Sequence, residues 1–190
     1  GPSGFALAVN GTNIFVGGIF SQAGGSNILN VARWNGRSWS ALGAGISNTA
    51  NNPYVYALAV SETNVYVGGA FTIAGGQLVN GIARWDGNNW SAMGGGVTGP
   101  SFMPRVSAIA ILGDSVYAAG DFNSAGGVAA NNIARWDGAS WAALGTGVDF
   151  TVKALAVLPD GGGSISTLDE FLIALRFKDM DGERQRDGVA

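Results

Sequence analysis

The chain has neither cysteine nor histidine among its 190 residues. The first absence excludes disulfides, thiolate nucleophiles and any zinc site built on sulfur. The second removes the usual general base, the imidazole metal ligand and every Ser-His or Cys-His catalytic pair. Charge is scarce as well, at 12% of residues with a net charge of −3 and a pI near 4.7. Nucleic acid is therefore not an expected partner, because phosphate binding requires clustered Lys and Arg. The longest apolar runs, such as Tyr54 to Val60, are far too short to span a bilayer, and no segment reads as the apolar core of a signal peptide.

Glycine, by contrast, is abundant, with 32 residues that lack the every-third-position rule of collagen. They read as turn punctuation in an all-β chain. Self-similarity dominates the sequence. Trp34, Trp85 and Trp136 follow one another at intervals of 51 residues, as do Trp39, Trp90 and Trp141. The "AGG" triplets beginning at Ala23, Ala74 and Ala125 keep the same interval, as do "ALAV" at Ala6 and Ala57 and "AIAI" at Ala108.

Within the middle copy, four β-prone runs are separated by turn residues: Val55 to Val60, Asn64 to Gly68, Gly81 to Trp85, and Trp90 to Met93. The long segment "GAFTIAGGQLVN" reads as a connection, and Asp86-Gly87 is a tight-turn signal, since both residues tolerate positive φ. Each copy thus predicts a four-stranded antiparallel meander. Continuous apolar runs such as Val65-Tyr66-Val67 ask for burial on both faces, which one small sheet cannot provide and sheets stacked around an axis can. Radial repetition of four-stranded units is the β-propeller.

The glycine pairs Gly17-Gly18 and Gly68-Gly69, together with Trp34 to Trp39, Trp85 to Trp90 and Trp136 to Trp141, resemble kelch-type propeller blades. The fuller phrase "VYVGGAFTIAGG" leading to "IARWDGNNWSAMGGGV" is similar to repeats of large bacterial secreted or surface proteins, and more distantly to fungal cortical polarity markers. Two features depart from kelch: Trp stands in place of the usual tyrosine, and Ala119-Gly120 replaces the glycine pair of the third copy. The resemblance implies blades at about 5–53, 54–104 and 105–151, a partial fourth from 152, and an extracellular or cell-surface location. Three blades and one extra strand do not close a ring of four to eight. The expectation is an incomplete propeller, either part of a longer chain or completed by self-association. Residues 161–190 form a charged tail in which Leu168, Phe171, Leu172 and Leu175 are spaced for a short helix, with Thr167 and Glu170 placed like a capping box; a degraded fourth blade, a segment read out of frame, and the end of a calcium-binding loop at Asp160 and Asp169 are the other readings.

Candidate chemistry is thin. Gly94-Gly95-Gly96-Val97-Thr98-Gly99 matches a phosphate-loop template, but Pro100 and Pro104 follow where a helix is needed, so it reads as an inter-blade loop. Arg33, Arg84 and Arg135 precede the tryptophans, and Asn35, Asp86 and Asp137 follow them; at one position per blade, they read as local pairing of strand to turn. Trp39, Trp90 and Trp141 are the candidates for ligand contact, because indole offers a flat apolar face to a sugar ring. Gly17, Gly18, Gly68, Gly69 and Gly120 are assigned to the blade frame. No cofactor and no metal site are expected. The dispersed acids Glu62, Asp114, Asp121 and Asp149 give no carboxylate pair. The reading is a non-catalytic binding or structural module with a protein or glycan ligand, met at the "AGG" loops or at Gly94 to Pro104. A propeller lectin and a fragment of a galactose-oxidase-like or hydrolase propeller are the alternatives.

Overall fold

Runs of Val, Ile, Tyr and Trp extend, and the Gly, Asn and Asp between them turn the chain. A computed structural model describes residues 3–49, 52–101, 103–159 and 170–176, and these contain strands and turns but no helix. Each copy forms a four-stranded antiparallel sheet with neighbours in chain order. The first sheet comprises Ser3–Asn10, Asn13–Ile19, Val31–Trp34 and Trp39–Ala41. The second comprises Tyr54–Ser61, Asn64–Ala70, Ile82–Trp85 and Trp90–Ala92, and the third Arg105–Leu112, Ser115–Asp121, Ile133–Trp136 and Trp141–Ala143.

The core lies between the sheets. Phe15, Val31, Leu42 and Ile46 of the first unit pack with Val67, Phe71 and Trp90 of the second. Ile82, Met93 and Val97 of the second pack in turn with Ala118, Phe122 and Trp141 of the third. A buried side chain of this size contributes roughly 1.5–3 kcal/mol, so each unit depends on its neighbour for that gain.

The "AGG" segments are not plain connections. Each forms a two-residue hairpin, such as Ile73–Ala74 with Gln77–Leu78. The exit of the preceding unit adds a third strand: Ile46–Ser47 pairs with Ile73–Ala74, and Val97–Thr98 with Ser124–Ala125. Composition concealed this pairing because strands of two residues carry no periodicity. Asn30 and Asn132, at φ 63° and 61°, take the left-handed turn that Gly81 takes in the middle unit. The Asn30 side chain accepts from Phe20 N–H and donates to the Ile46 carbonyl, which satisfies a buried amide and ties the exit strand to its own unit.

The glycine pair divides its work. The second glycine lies against a carbonyl oxygen of its own first strand: Gly18 against Ser3, Gly69 against Tyr54 and Gly120 against Arg105. The first faces a valine of the next unit, Val55 for Gly17 and Val106 for Gly68. The third copy accommodates Ala119 there, fully buried in a cluster with Ile133 and Val152.

Among the described residues of the tail no helix is formed. Glu170–Arg176 is a strand paired antiparallel with Val152–Pro159, so this stretch continues the repeat pattern as the first two strands of a further unit. The apolar spacing that suits a helix also supplies a strand, and pairing with a β-rich neighbour decides between them. Asp160, Thr167, Leu168 and Asp169 lie outside the described residues, as does the rest of the tail.

Gly120→Ala should lower stability by about 1–3 kcal/mol through overpacking, read as a shift in the urea midpoint. Ala119→Gly should change it by less. Equal effects would contradict the assignment of the two positions.

Candidate functional site

The second tryptophan of the second and third repeats is a fastener between units. Trp90 Nε1–H donates to the Leu42 carbonyl at 2.8 Å, and Trp141 Nε1–H to the Met93 carbonyl at 2.7 Å. Both rings are 5% exposed, so neither offers a face to a ligand. Each leans on the first tryptophan of its repeat, with ring centroids 5.4 Å apart for Trp85–Trp90 and Trp136–Trp141, and 5.5 Å for Trp34–Trp39. Glycines let the backbone close on the rings: a Cβ at Gly43 would stand 3.0 Å from Trp85, and one at Gly94 2.7 Å from Trp136. Trp39 differs, being only half-buried.

The Arg and Asp columns do not pair with each other. Asp86 Oδ1 accepts from Asn88 N–H at 2.8 Å and Asn89 N–H at 2.7 Å, and Asp137 Oδ1 from Ala139 and Ser140 at 2.9 and 2.8 Å. Asn35 does the same with Arg37 and Ser38. The acid or amide after each tryptophan therefore builds an Asx turn. Arg33 and Arg135 are exposed and Arg84 is half-buried. The one ion pair among the described residues is Arg105–Asp121 at 3.5 Å. The residues about Gly94 to Pro104 and the "AGG" segments likewise serve unit-to-unit pairing through Val97, Thr98, Ala74 and Ala125.

A different set of residues converges on a cleft. The first strand of every unit carries a β-bulge, between Gly4 and Ala6, Val55 and Ala57, Val106 and Ala108, and Val152 and Ala154. The residues passed over by the register are Phe5, Tyr56, Ser107 and Lys153. Bulges re-aim side chains, and all four line one cavity of about 340 Å³ together with Arg105. Phe5 and Tyr56 meet with centroids 5.7 Å apart, and Tyr54 stacks on Tyr56 at 5.6 Å. Burial raises the Tyr56 phenol pKa; Arg105 opposes the shift and Tyr54 adds to it. Asp121 offsets Arg105 and is held by Ser101 Oγ–H at 2.9 Å. Lys153 is exposed, so the cleft joins an aromatic wall to a free-facing cation.

This cleft was missed in the sequence, although a signal existed. The frames "GFALAV", "VYALAV", "VSAIAI" and "VKALAV" keep Gly or aliphatic residues at every position but the second, the bulged residue, which changes chemical class from copy to copy. Among the described residues no group of three or more acids could hold a metal ion, and no helix is long and apolar enough to cross a membrane. Compared with known proteins, the chain matches no family and no curated relative.

Trp90→Phe keeps an aromatic ring but removes the indole donor, leaving the Leu42 carbonyl with the Gly45 N–H alone, and should cost about 0.5–1.5 kcal/mol in chemical denaturation. A change smaller than that of Trp39→Phe would refute the fastener role. The turn carboxylates give a pH signature. Backbone N–H donors hold Asp86 and Asp137 below their ordinary 3.8, Asn89 and Ser140 contributing most. Their contribution is full above that unfolded value and is lost as pH falls through the lower folded one. Replacing both by Asn, as Asn35 already stands in the first unit, should flatten the acid limb of the stability profile below pH 3.8. An unchanged limb would place the acid sensitivity elsewhere.

Proposed function

We propose that the chain is a non-catalytic binding module made of kelch-like propeller blades, working outside the cell or at its surface. The carrying observation is a division between columns. The repeated residues are occupied in holding units together, while the bulge column, where the copies differ, gathers on one cleft. Loops and bulges on a rigid scaffold are where recognition is varied without cost to the frame. Phe5 and Tyr56 offer apolar ring faces and Lys153 a cation, so the cleft suits a ligand that combines a flat apolar group with a negative charge. Phe5, at 49% exposure, could equally face a sugar ring, which keeps a glycan as the second reading.

The test is an NMR titration of the labelled chain with phenylacetate, beside a glycan array. Shifts should concentrate at Phe5, Tyr56, Ser107 and Lys153, and Lys153→Glu should weaken the carboxylate by about tenfold or more, the worth of one charge-assisted contact. Array hits without carboxylate binding would replace the first reading by the second. Silence in both, or shifts confined to other surfaces, would overturn the cleft as the binding site.

A further inference from the structure

The chain contains three Asn-Gly pairs, Asn10-Gly11, Asn35-Gly36 and Asn80-Gly81. In such a pair the backbone nitrogen of the glycine is a nucleophile tethered beside the side-chain carbonyl carbon of the asparagine, and the missing Cβ leaves its approach unhindered. The fold puts the three pairs in unlike surroundings. Two are held back. The Gly81 N–H is buried and donates to the Phe71 carbonyl at 2.7 Å, so its nitrogen is already engaged, while the Asn80 side-chain amide donates to the Gly95 carbonyl at 3.0 Å. The Asn10 amide donates to the Glu62 carbonyl of the next unit, which ties down the nitrogen that would have to leave. Its Oδ1 has no donor among the described residues.

Asn35 is the reverse case. Its Oδ1 accepts from Arg37 N–H and Ser38 N–H, both at 2.9 Å, while its own amide nitrogen and the Gly36 N–H donate to nothing among the described residues. Residues 35–38 are all exposed, and beyond its chain neighbours no heavy atom lies within 4 Å of where a Gly36 Cβ would stand. Attack on the Asn35 side-chain carbon drives negative charge onto Oδ1, and two fixed N–H donors on that atom stabilise such charge as an oxyanion hole does. The second and third units show that this turn holds a full negative charge: the same pair of donors binds the carboxylates of Asp86 and Asp137.

We infer that Asn35 is a self-modifying site, at which the Asx turn promotes hydrolytic loss of the side-chain amide. The Gly36 nitrogen gives its proton to solvent and bonds to Cγ of Asn35. The bond from Cγ to Nδ2 breaks, and that nitrogen leaves with a solvent proton as ammonia, so that a cyclic imide remains. Water then opens the ring. Addition at Cγ releases the Gly36 nitrogen and leaves aspartate, the residue type of the other two units; addition at the main-chain carbonyl carbon leaves isoaspartate, which lengthens the backbone of the hairpin that pairs Trp34 with Trp39. One water is consumed and one ammonia released, no electrons are transferred, and the chain adds a negative charge to its net of −3. The bulge cleft takes no part, so this site and the ligand reading stand or fall separately.

The test holds the full chain at neutral pH, folded in buffer and unfolded in urea, and follows each Asn-Gly pair by peptide-mapped mass spectrometry, which reads the gain of about one dalton and separates isoaspartate from aspartate. In the folded chain Asn35 should convert at least about tenfold faster than Asn10 and Asn80. In urea, where the turn and the protecting bonds are gone, the three rates should converge. Arg37→Pro removes one donor to Oδ1 while keeping Gly36, and should slow Asn35 by about threefold or more in a chain that keeps its native indole spectrum. Faster conversion of Asn10 or Asn80, equal rates in the folded chain, or an order in urea that repeats the folded one overturns the proposal. So does an unchanged Asn35 rate in folded Arg37→Pro. Should that variant fail to fold, the comparison of buffer with urea decides by itself, since it needs no substitution.

Discussion

An indole N–H reaching across to a carbonyl of the preceding sheet is the contact on which the rest of this molecule depends. It explains two compositional oddities together. The Leu42 and Met93 carbonyls each accept from a turn N–H, of Gly45 or Gly96, and keep a second lone pair for a donor from the next unit; tryptophan is the one aromatic that can pack a large ring and donate from it with no acceptor of its own to satisfy. The segment bearing that carbonyl must lie flat on the ring pair, and only glycine at Gly43 and Gly94 permits the approach. Tryptophan and glycine thus rise together, two of one and several of the other in every repeat.

The same contact explains why so little charge is needed. The sheets are held by apolar clusters shared between units and by backbone pairing of exit strand to hairpin. The acids that do recur are spent on Asx turns at the rim, where they compete with no partner. One column per unit is freed from the frame at each first strand, because the bulge lifts it out of the ladder. Phe5, Tyr56, Ser107 and Lys153 show how freely that column can change within one chain.

Most of the strand plan was legible in the sequence, because 51-residue repetition lets three copies vote on every position. The runs 55–60, 64–68, 81–85 and 90–93 fall within a residue or two of the strands formed. Three things were not legible. Two-residue strands such as Ile46–Ser47 leave no periodic trace, and their partners lie in another unit. The stretch from Glu170 to Arg176 has apolar spacing that serves either a helix or a strand, and only the neighbouring Val152–Pro159 edge decides. The cleft was hidden for a third reason: attention to what repeats passes over the position that does not, and a bulge cannot be seen without its register. The Arg-Asp pairing was misread because adjacency in sequence placed opposite charges near one another, while the turn N–H groups lay nearer still.

Each seam also has a donor side and an acceptor side that are chemically unlike. A unit therefore has a front and a back, and two fronts meeting symmetrically could not reproduce the bond from indole to carbonyl. Duplication or loss of one whole 51-residue unit leaves both neighbouring seams with the same parts, whereas any other change of length breaks one. The architecture is in this sense quantised: it can vary in size over genetic time only in whole blocks, with the bulged residue of each new block free to acquire a different chemistry.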